Sequence, residues 1–407
     1  MKHIYFSLGL LFFIIGCKQK EADYAIDCQF PPDFYANRVL IMTNQKGERI
    51  AAIDVPAGVS NITQQITVED ADATESYGLH LVYNDPNGCY ANVYSHVAIP
   101  NGAAVFLNPN AGDFISAKQV VLNISGIETF DTLVGASLFP PLHTNFIAAE
   151  KRVVVDCLLE QGRGIVLRLL ANGASEFRHL YLPDSVLGNA PVQAQWEDFT
   201  PENNPRSIEL PGDGLATYLE VDAVSADFNR YVTIQDKSSV QNGNAPFAPI
   251  FNHPFGLPEP SAYRVIVYQD GTRFEKIFQP GELLRFDPAG FSVDDVNLEG
   301  RNLSATTSGD VDLVSALFAQ SDPQNPNCIM YWYVDGSTEA FKNGIPLPDL
   351  QNYLPDWFDF DNFKNYTVTA QQFGKQDYPQ VREGFPYKSG EPFAVARSGF
   401  KSISKSK

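Results

Sequence analysis

No apolar run in this sequence is long enough to cross a bilayer as a helix. The one extended run, residues 4–15, carries no charge but falls short of the roughly 20 residues that a span needs. A simple transmembrane helix is therefore excluded. Helical periodicity is almost missing as well, and residues 311–320 are the best short helix candidate. The chain lacks His-Glu-x-x-His, Gly-x-Ser-x-Gly, Gly-x-x-x-x-Gly-Lys-Ser/Thr and Cys-x-x-Cys, so zinc hydrolase, serine hydrolase, nucleotide-loop and redox chemistries lose their usual signal. Basic charge is scarce: 29 Lys and Arg stand against 48 Asp and Glu, a net charge of −19 with no long acidic run to hold it. Acidity spread over folded surfaces disfavours nucleic acid and anionic lipid faces as partners. No cofactor is expected, and a non-enzymatic role is favoured.

What is present begins with the leader. Lys2 and His3 form a short basic start, the apolar core follows, and Ile14-Ile15-Gly16-Cys17 closes it. That order resembles a bacterial lipoprotein signal, with aliphatic, aliphatic and small residues ahead of the cysteine that the lipobox requires. The resemblance covers about the first seventeen residues, and it implies that Cys17 is lipidated and becomes the mature N-terminus. Several acyl chains on one residue anchor stably where a single chain does not. A cleaved secretory signal with an incidental cysteine is the competing reading. Lys18 stands where an aspartate would resemble an inner-membrane retention signal, which favours the outer membrane; Glu21 and Asp23 look like the export tag of some surface lipoproteins, and the periplasmic face stays open.

The body repeats one pattern: an apolar strand, an X-Gly turn, a return strand and a proline stop. Residues 38–43, Lys46-Gly47 and 49–55 are the first case; Asn87-Gly88, Asn172-Gly173, Asp270-Gly271 and Asp335-Gly336 centre the next four. Such pairs accept the positive φ of tight hairpins, and proline cannot extend a central ladder. Alternating strands at 121–126, 219–223 and 296–300 precede later hairpins, which places unit starts near 118, 206 and 293. The spacing suits small β-sandwich domains. The pattern resembles immunoglobulin-like, fibronectin-like or transthyretin-like modules of cell-surface proteins, although the tryptophan between paired cysteines of a true immunoglobulin domain is missing. Generic reuse of Gly and Pro turns by an all-β chain is the alternative to true repetition. The expected architecture is all-β, with tandem β-sandwich domains: signal 1–16, lipidated cysteine and tether 17–37, sandwiches 38–117, 118–205, 206–292 and 293–388, and a disordered tail 389–407.

Four cysteines besides Cys17 permit two disulfides or buried free thiols, and those readings stand level. If bonds form, Cys28 with Cys89 is the expected pair, stapling the N-terminal segment to the first domain. The six histidines are scattered singly; His80 and His96 are expected to face each other at the surface across the second hairpin, without the extra ligand a metal site needs. Two acidic clusters, Asp356/Asp359/Asp361 and Glu69/Asp70/Asp72, read first as solvated loops and second as calcium ligands. Aromatics are the better lead. Tyr331, Trp332 and Tyr333 fall on one strand, and Trp357 lies in the aromatic-rich stretch that follows. Alternation sends Trp332 to one face and Tyr331 with Tyr333 to the other, so one face is core and the other is open. Exposed Trp and Tyr would form a ligand platform for sugar rings or protein hot spots, with a large last-domain core as the competing account.

These observations lead to a lipid-anchored exported protein that binds or adheres, with the last domain at the tip of a stalk. Polysaccharide or envelope proteins are the expected partners. The alternative is a structural subunit of a cell-envelope complex.

Overall fold

Apolar residues at a period of two supply the core face of strands in every unit, and the product is all-β, built from tandem β-sandwiches around four separate cores. The computed structural model describes residues 21–29, 37–56, 58–69, 76–85, 88–107, 117–135, 143–160, 162–172, 177–188, 190–202, 205–225, 230–238, 245–360, 365–373 and 400–406. The leader, Cys17 and the segment 374–399 lie outside the described residues, so the lipidation and signal expectations are not addressed by the fold.

The first sandwich contains β1 (Glu21–Gln29), β2 (Asn37–Thr43), β3 (Arg49–Val55), β4 (Asn61–Glu69), β5 (Tyr77–Asn84), β6 (Tyr90–Ile99) and β7 (Ala104–Phe106). The sheet β4-β1-β7 packs Tyr24, Ile26, Cys28 and Val105 onto Leu40, Met42, Leu79 and Leu81 of β2 and β5. The expected tether at 17–37 is corrected here, because residues 21–29 form a strand between β4 and β7. Tyr24, Ile26 and Cys28 are its period-2 apolar face, a signal masked in the sequence by Glu21, Asp23 and Asp27 around them.

The second sandwich holds β8 (Ala117–Ser125), β9 (Phe130–Gly135), β10 (His143–Ile147), β11 (Arg152–Glu160), β12 (Ile165–Ala171), β13 (Arg178–Leu182), β14 (Val192–Gln195) and β15 (Thr200–Pro201). Its sheets β10-β11-β8-β14 and β15-β13-β12-β9 close over Leu122, Ile124, Val155, Leu167 and Leu169. The third unit has β16 (Pro205–Ser207), β17 (Tyr218–Val224), β18 (Arg230–Ser238), β19 (Ile250–Asn252), β20 (Ala262–Gln269) and β21 (Thr272–Phe278). Val221, Val265, Val267 and Phe274 pack there against Phe251 and Phe286.

The fourth unit has β22 (Ser292–Glu299), β23 (Asn302–Ser308), β24 (Leu313–Ser321), β25 (Ile329–Gly336), helix α1 (Thr338–Asn343), β26 (Ile345–Pro346), β27 (Tyr366–Gln372) and β28 (Phe400–Ser406). Three expectations change in this unit. The helix candidate at 311–320 is strand β24, whose Val314, Ala316 and Phe318 enter the core in a period of two. Asp335-Gly336 opens no hairpin; Ser337 instead accepts the Ala340 N–H and caps α1. The tail expected to be disordered contributes β28, whose Ser404 and Ser406 hydroxyls meet Thr369 and Thr367 across the ladder.

The stalk is the largest correction. One sheet runs through three of the units in the order β18-β17-β20-β21-β28-β27-β24-β25-β6-β5-β2-β3. Strand β28 bridges the third and fourth units, and β25 of the fourth pairs in parallel with β6 of the first. The last unit therefore sits beside the first and is not the far end of a row. A disulfide closes the same seam, but it joins Cys89 to Cys328 across 239 residues; the expected Cys28–Cys89 pair is not formed. Cys28 points into the first core, where it is a buried free thiol, as is Cys157 in the second. Edge strands carry unpaired N–H and C=O groups, and pairing β6 with β25 removes two such edges at once.

Candidate functional site

The seam between β6 and β25 collects the aromatic residues that sequence alternation separates. On β6, Tyr90, Asn92, Tyr94 and His96 share one face, while Ala91, Val93 and Val97 enter the fourth core on the other. On β25, Tyr331, Tyr333 and Asp335 share the first face, and Met330, Trp332 and Val334 face the core. Parallel register sets Tyr333 beside Tyr94 and Asp335 beside His96.

Trp332 is therefore no platform. It is 0% exposed, lies 6.1 Å from Phe318 and 6.0 Å from Phe360, and donates its Nε1–H to Ser95 Oγ at 2.8 Å. Trp357 packs partly buried on the margin of the same core and donates to the Gly88 carbonyl at 2.9 Å, tying the last unit to the tip of the second hairpin. Both tryptophans are structural, because the sheet β22-β23-β26 covers the face on which Trp332 lies.

The tyrosines behave differently. Tyr94 and Tyr333 stack with ring centroids 5.1 Å apart and planes within 5°. Tyr331 continues the row 6.4 Å from Tyr333, and Tyr90 lies 6.4 Å from Tyr331. Tyr83 meets Tyr94 edge-on at 5.6 Å, which closes the row on the side of the first core. At the other end Tyr90 is 47% exposed, and its hydroxyl accepts from Asn92 Nδ2 at 3.0 Å. Burial and the neighbouring Tyr333, Tyr90 and Tyr83 push the Tyr94 phenol well up, and burial with Tyr90 and Tyr331 raises Tyr333. The stacked pair Tyr94 and Tyr333 is thus uncharged at ordinary pH, and the row presents apolar ring faces with hydroxyl edges.

Asp335 and His96 end the row. His96 Nδ1 donates to the Asp335 carbonyl oxygen at 3.2 Å. Desolvation pushes the Asp335 carboxyl up to about 6, and a hydrogen bond with Ser315 pulls in the opposite direction. A carboxyl that holds its proton more tightly when folded contributes stability below its unfolded pKa and loses it as pH rises through the folded value. Asp335→Asn should therefore flatten the decline in stability between about pH 4 and pH 6. Urea unfolding of both proteins at pH 4.5 and 7 measures this; parallel pH profiles would rule it out.

The remaining sequence candidates separate. His80 and His96 do not face each other: His80 lies opposite Ser95 and His96 opposite Leu79, on different faces of the sheet, and both are buried. A one-residue register difference between paired strands reverses the face, which overturns the surface-pair expectation. Asp356 and Asp359 are exposed, while Asp361, Asp70 and Asp72 lie outside the described residues. Among the described residues no group of three His, Cys, Asp or Glu side chains is placed to hold a metal ion. Sequence reasoning missed Tyr90, Asn92 and Tyr94, although the alternation Tyr-Ala-Asn-Val-Tyr-Ser-His carries them plainly.

No protein-family model matches the sequence, and no curated protein matches it. Among solved structures it is similar to the tip fimbrial protein Mfa3 from Porphyromonas gingivalis with C-terminal truncation, at 9% identity over 40% of this chain and 82% of that one, with a TM-score of 0.18. It is also similar to the N-terminal four immunoglobulin domains of Dscam1: isoform 1.9 at 8% identity over 95% of this chain and 98% of that one, TM-score 0.13, and isoform 4.4 at 8% over 96% and 98%, TM-score 0.13. Scores this low carry no functional argument.

Proposed function

We propose that this chain is an exported protein, anchored through lipidated Cys17 to the outer membrane, that binds a ligand without catalysis. The tyrosine row Tyr90, Tyr94, Tyr331 and Tyr333 is its contact surface, and Tyr90 and Tyr331 are the side chains that first meet the ligand. The observation that supports this is the row itself: stacked rings from two distant strands, held across a disulfide-closed junction, with Tyr90 open to solvent. Flat rings with hydroxyl edges stack on the C–H faces of sugars at low entropy cost, because a tyrosine has only two side-chain torsions to fix. Polysaccharide is the favoured ligand.

A polysaccharide panel tested with the mature protein and with Tyr90→Ala/Tyr331→Ala examines the reading. The double variant is expected to lose at least about tenfold in affinity, since stacked aromatic contacts are worth about 1–3 kcal/mol each in comparable ring-on-ring recognition. Unchanged binding by the variant, or co-purification of envelope proteins with no glycan bound, would replace it with the structural-subunit reading. Mass spectrometry of the mature N-terminus tests the anchor, and an unlipidated start beyond Cys17 would remove it.

A further inference from the structure

A second recess lies on the opposite face of the same sheet, where the first unit meets α1 and β26. It is a cleft of about 240 Å³ whose wall includes Thr43, Gln45, Gly78, Ala98 and Asn343. A bulge opens it: Tyr77 pairs with Ile99 and Leu79 with His96, so Gly78 alone opposes Val97 and Ala98. Ala98 takes the left-handed conformation at φ 55°, an uncommon state for a residue with a Cβ. Gly78 keeps the floor clear, because a Cβ there would stand 2.7 Å from Thr43 Oγ1 and 3.0 Å from His80 Nε2.

Beneath the floor runs a hydrogen-bond chain with one hydrogen more than it can place. Trp332 Nε1–H can only donate, and it donates to Ser95 Oγ. Ser95 Oγ and His80 Nδ1 lie 2.8 Å apart, and His80 Nε2 and Thr43 Oγ1 lie 3.0 Å apart. Burial lowers His80 to about 3, so the ring is neutral and carries one hydrogen. With that hydrogen on Nε2, Ser95 donates to Nδ1 and the Thr43 hydrogen is left over; with it on Nδ1, Thr43 donates to Nε2 and the Ser95 hydrogen is left over. Both residues are 2% exposed, and a buried donor without a partner costs about 1–3 kcal/mol. Only Thr43 lines the cleft, so an acceptor placed there completes the chain in the first arrangement.

We infer that the cleft binds one uncharged, polyhydroxylated ring, a neutral monosaccharide unit, which offers an oxygen to the Thr43 hydroxyl. None of the residues lining the cleft carries a charge, although the chain as a whole carries −19. Amide side chains at Gln45 and Asn343 supply both donors and acceptors, which suits hydroxyl groups and not an ion. The volume corresponds to about eight waters at about 30 Å³ each, the space of one sugar ring. This inference is independent of the tyrosine row and goes beyond it.

Calorimetric titration of the full chain tests it with three sets of probes: methyl glycosides of neutral hexoses and N-acetylhexosamines, glucuronic acid and glucosamine as charged analogues, and oligosaccharides ending in the same sugars. At least one neutral methyl glycoside should bind, with the charged analogues at least about tenfold weaker. Binding of the oligosaccharides as well identifies the ligand as a chain end, and binding of the methyl glycosides alone identifies it as a free sugar. Thr43→Val removes the hydroxyl at constant shape and should cost about tenfold, the value of one hydrogen bond whose donor is otherwise unpaired. Asn343→Ala, at an exposed position on the rim, should weaken the same sugar, and Tyr90→Ala/Tyr331→Ala should leave it unchanged. No binding by any neutral glycoside, or full affinity in both Thr43→Val and Asn343→Ala, would overturn the inference while leaving the tyrosine row untouched.

Discussion

Arg264→Met is expected to cost about 3–5 kcal/mol of folding stability, the usual result of removing one partner from a buried ionic cluster. Arg264, 6% exposed, donates to Glu275 at 2.8 Å, to Asp222 at 3.0 Å and to Glu220 at 3.2 Å. Arg273 supplies a second cation to Glu275 at 2.7 Å, and Thr233 and Tyr218 donate to Asp222 and Glu220. Alternation explains why the charges meet: Glu220 and Asp222 on β17, Arg264 on β20 and Glu275 on β21 all project from the sheet face opposite Val221, Val265 and Phe274. Burial raises the Glu220 carboxyl, and so does Asp222, while Arg264 pulls it down. Without Arg264 that pull disappears. The folded state then binds protons more tightly than the unfolded chain, so the deficit should grow as pH rises. Denaturant unfolding of variant and parent at pH 5 and pH 8 measures this, and an equal deficit at both would show that lost packing, not charge, explains the cost. Adding Asp222→Asn should recover part of the loss by removing the charge of a fully buried carboxylate that has lost its Arg264 contact.

The Cys89–Cys328 bond should carry an effect of similar size. Closing a loop of this length removes chain entropy from the unfolded state, typically about 2–5 kcal/mol when a native disulfide is lost. Cys89→Ser/Cys328→Ser should unfold at lower denaturant, and its first region to exchange amide hydrogens should be the β6–β25 ladder. The bond caps the beginning of that ladder, where the Cys89 carbonyl accepts the Ile329 N–H at 3.0 Å. Protease digestion under non-reducing conditions should yield one cross-linked peptide pair containing Cys89 and Cys328, with alkylatable thiols at Cys28 and Cys157 after unfolding. A Cys28–Cys89 peptide pair would contradict the seam. Unchanged exchange in the ladder would show that strand pairing holds the junction without the bond.

Some of the architecture was legible residue by residue. The hairpin of β20 and β21 follows from Asp270-Gly271, both at positive φ, between two alternating strands. Alternation also separated Trp332 from Tyr331 and Tyr333 correctly. It could not say which face was covered, because that depends on β22, β23 and β26 folding over Trp332. Strand β24 resembled a helix because Leu313, Val314, Leu317 and Phe318 also fit a 3.6-residue spacing, and its neighbours β25 and β27 settled the choice.

The sequence by itself determined the all-β class, the turn at Asp270-Gly271 and the net negative charge, since each depends on composition or on a few adjacent residues and their local conformational preferences. The tertiary structure alone decided that the last unit lies against the first, that Cys89 reaches Cys328 and not Cys28, and that tyrosines from β6 and β25 form one row. The physical reason is that backbone N–H and C=O groups on a strand edge are the same for every residue. An edge therefore states that it needs a partner without specifying which one, and only packing of the whole chain selects it.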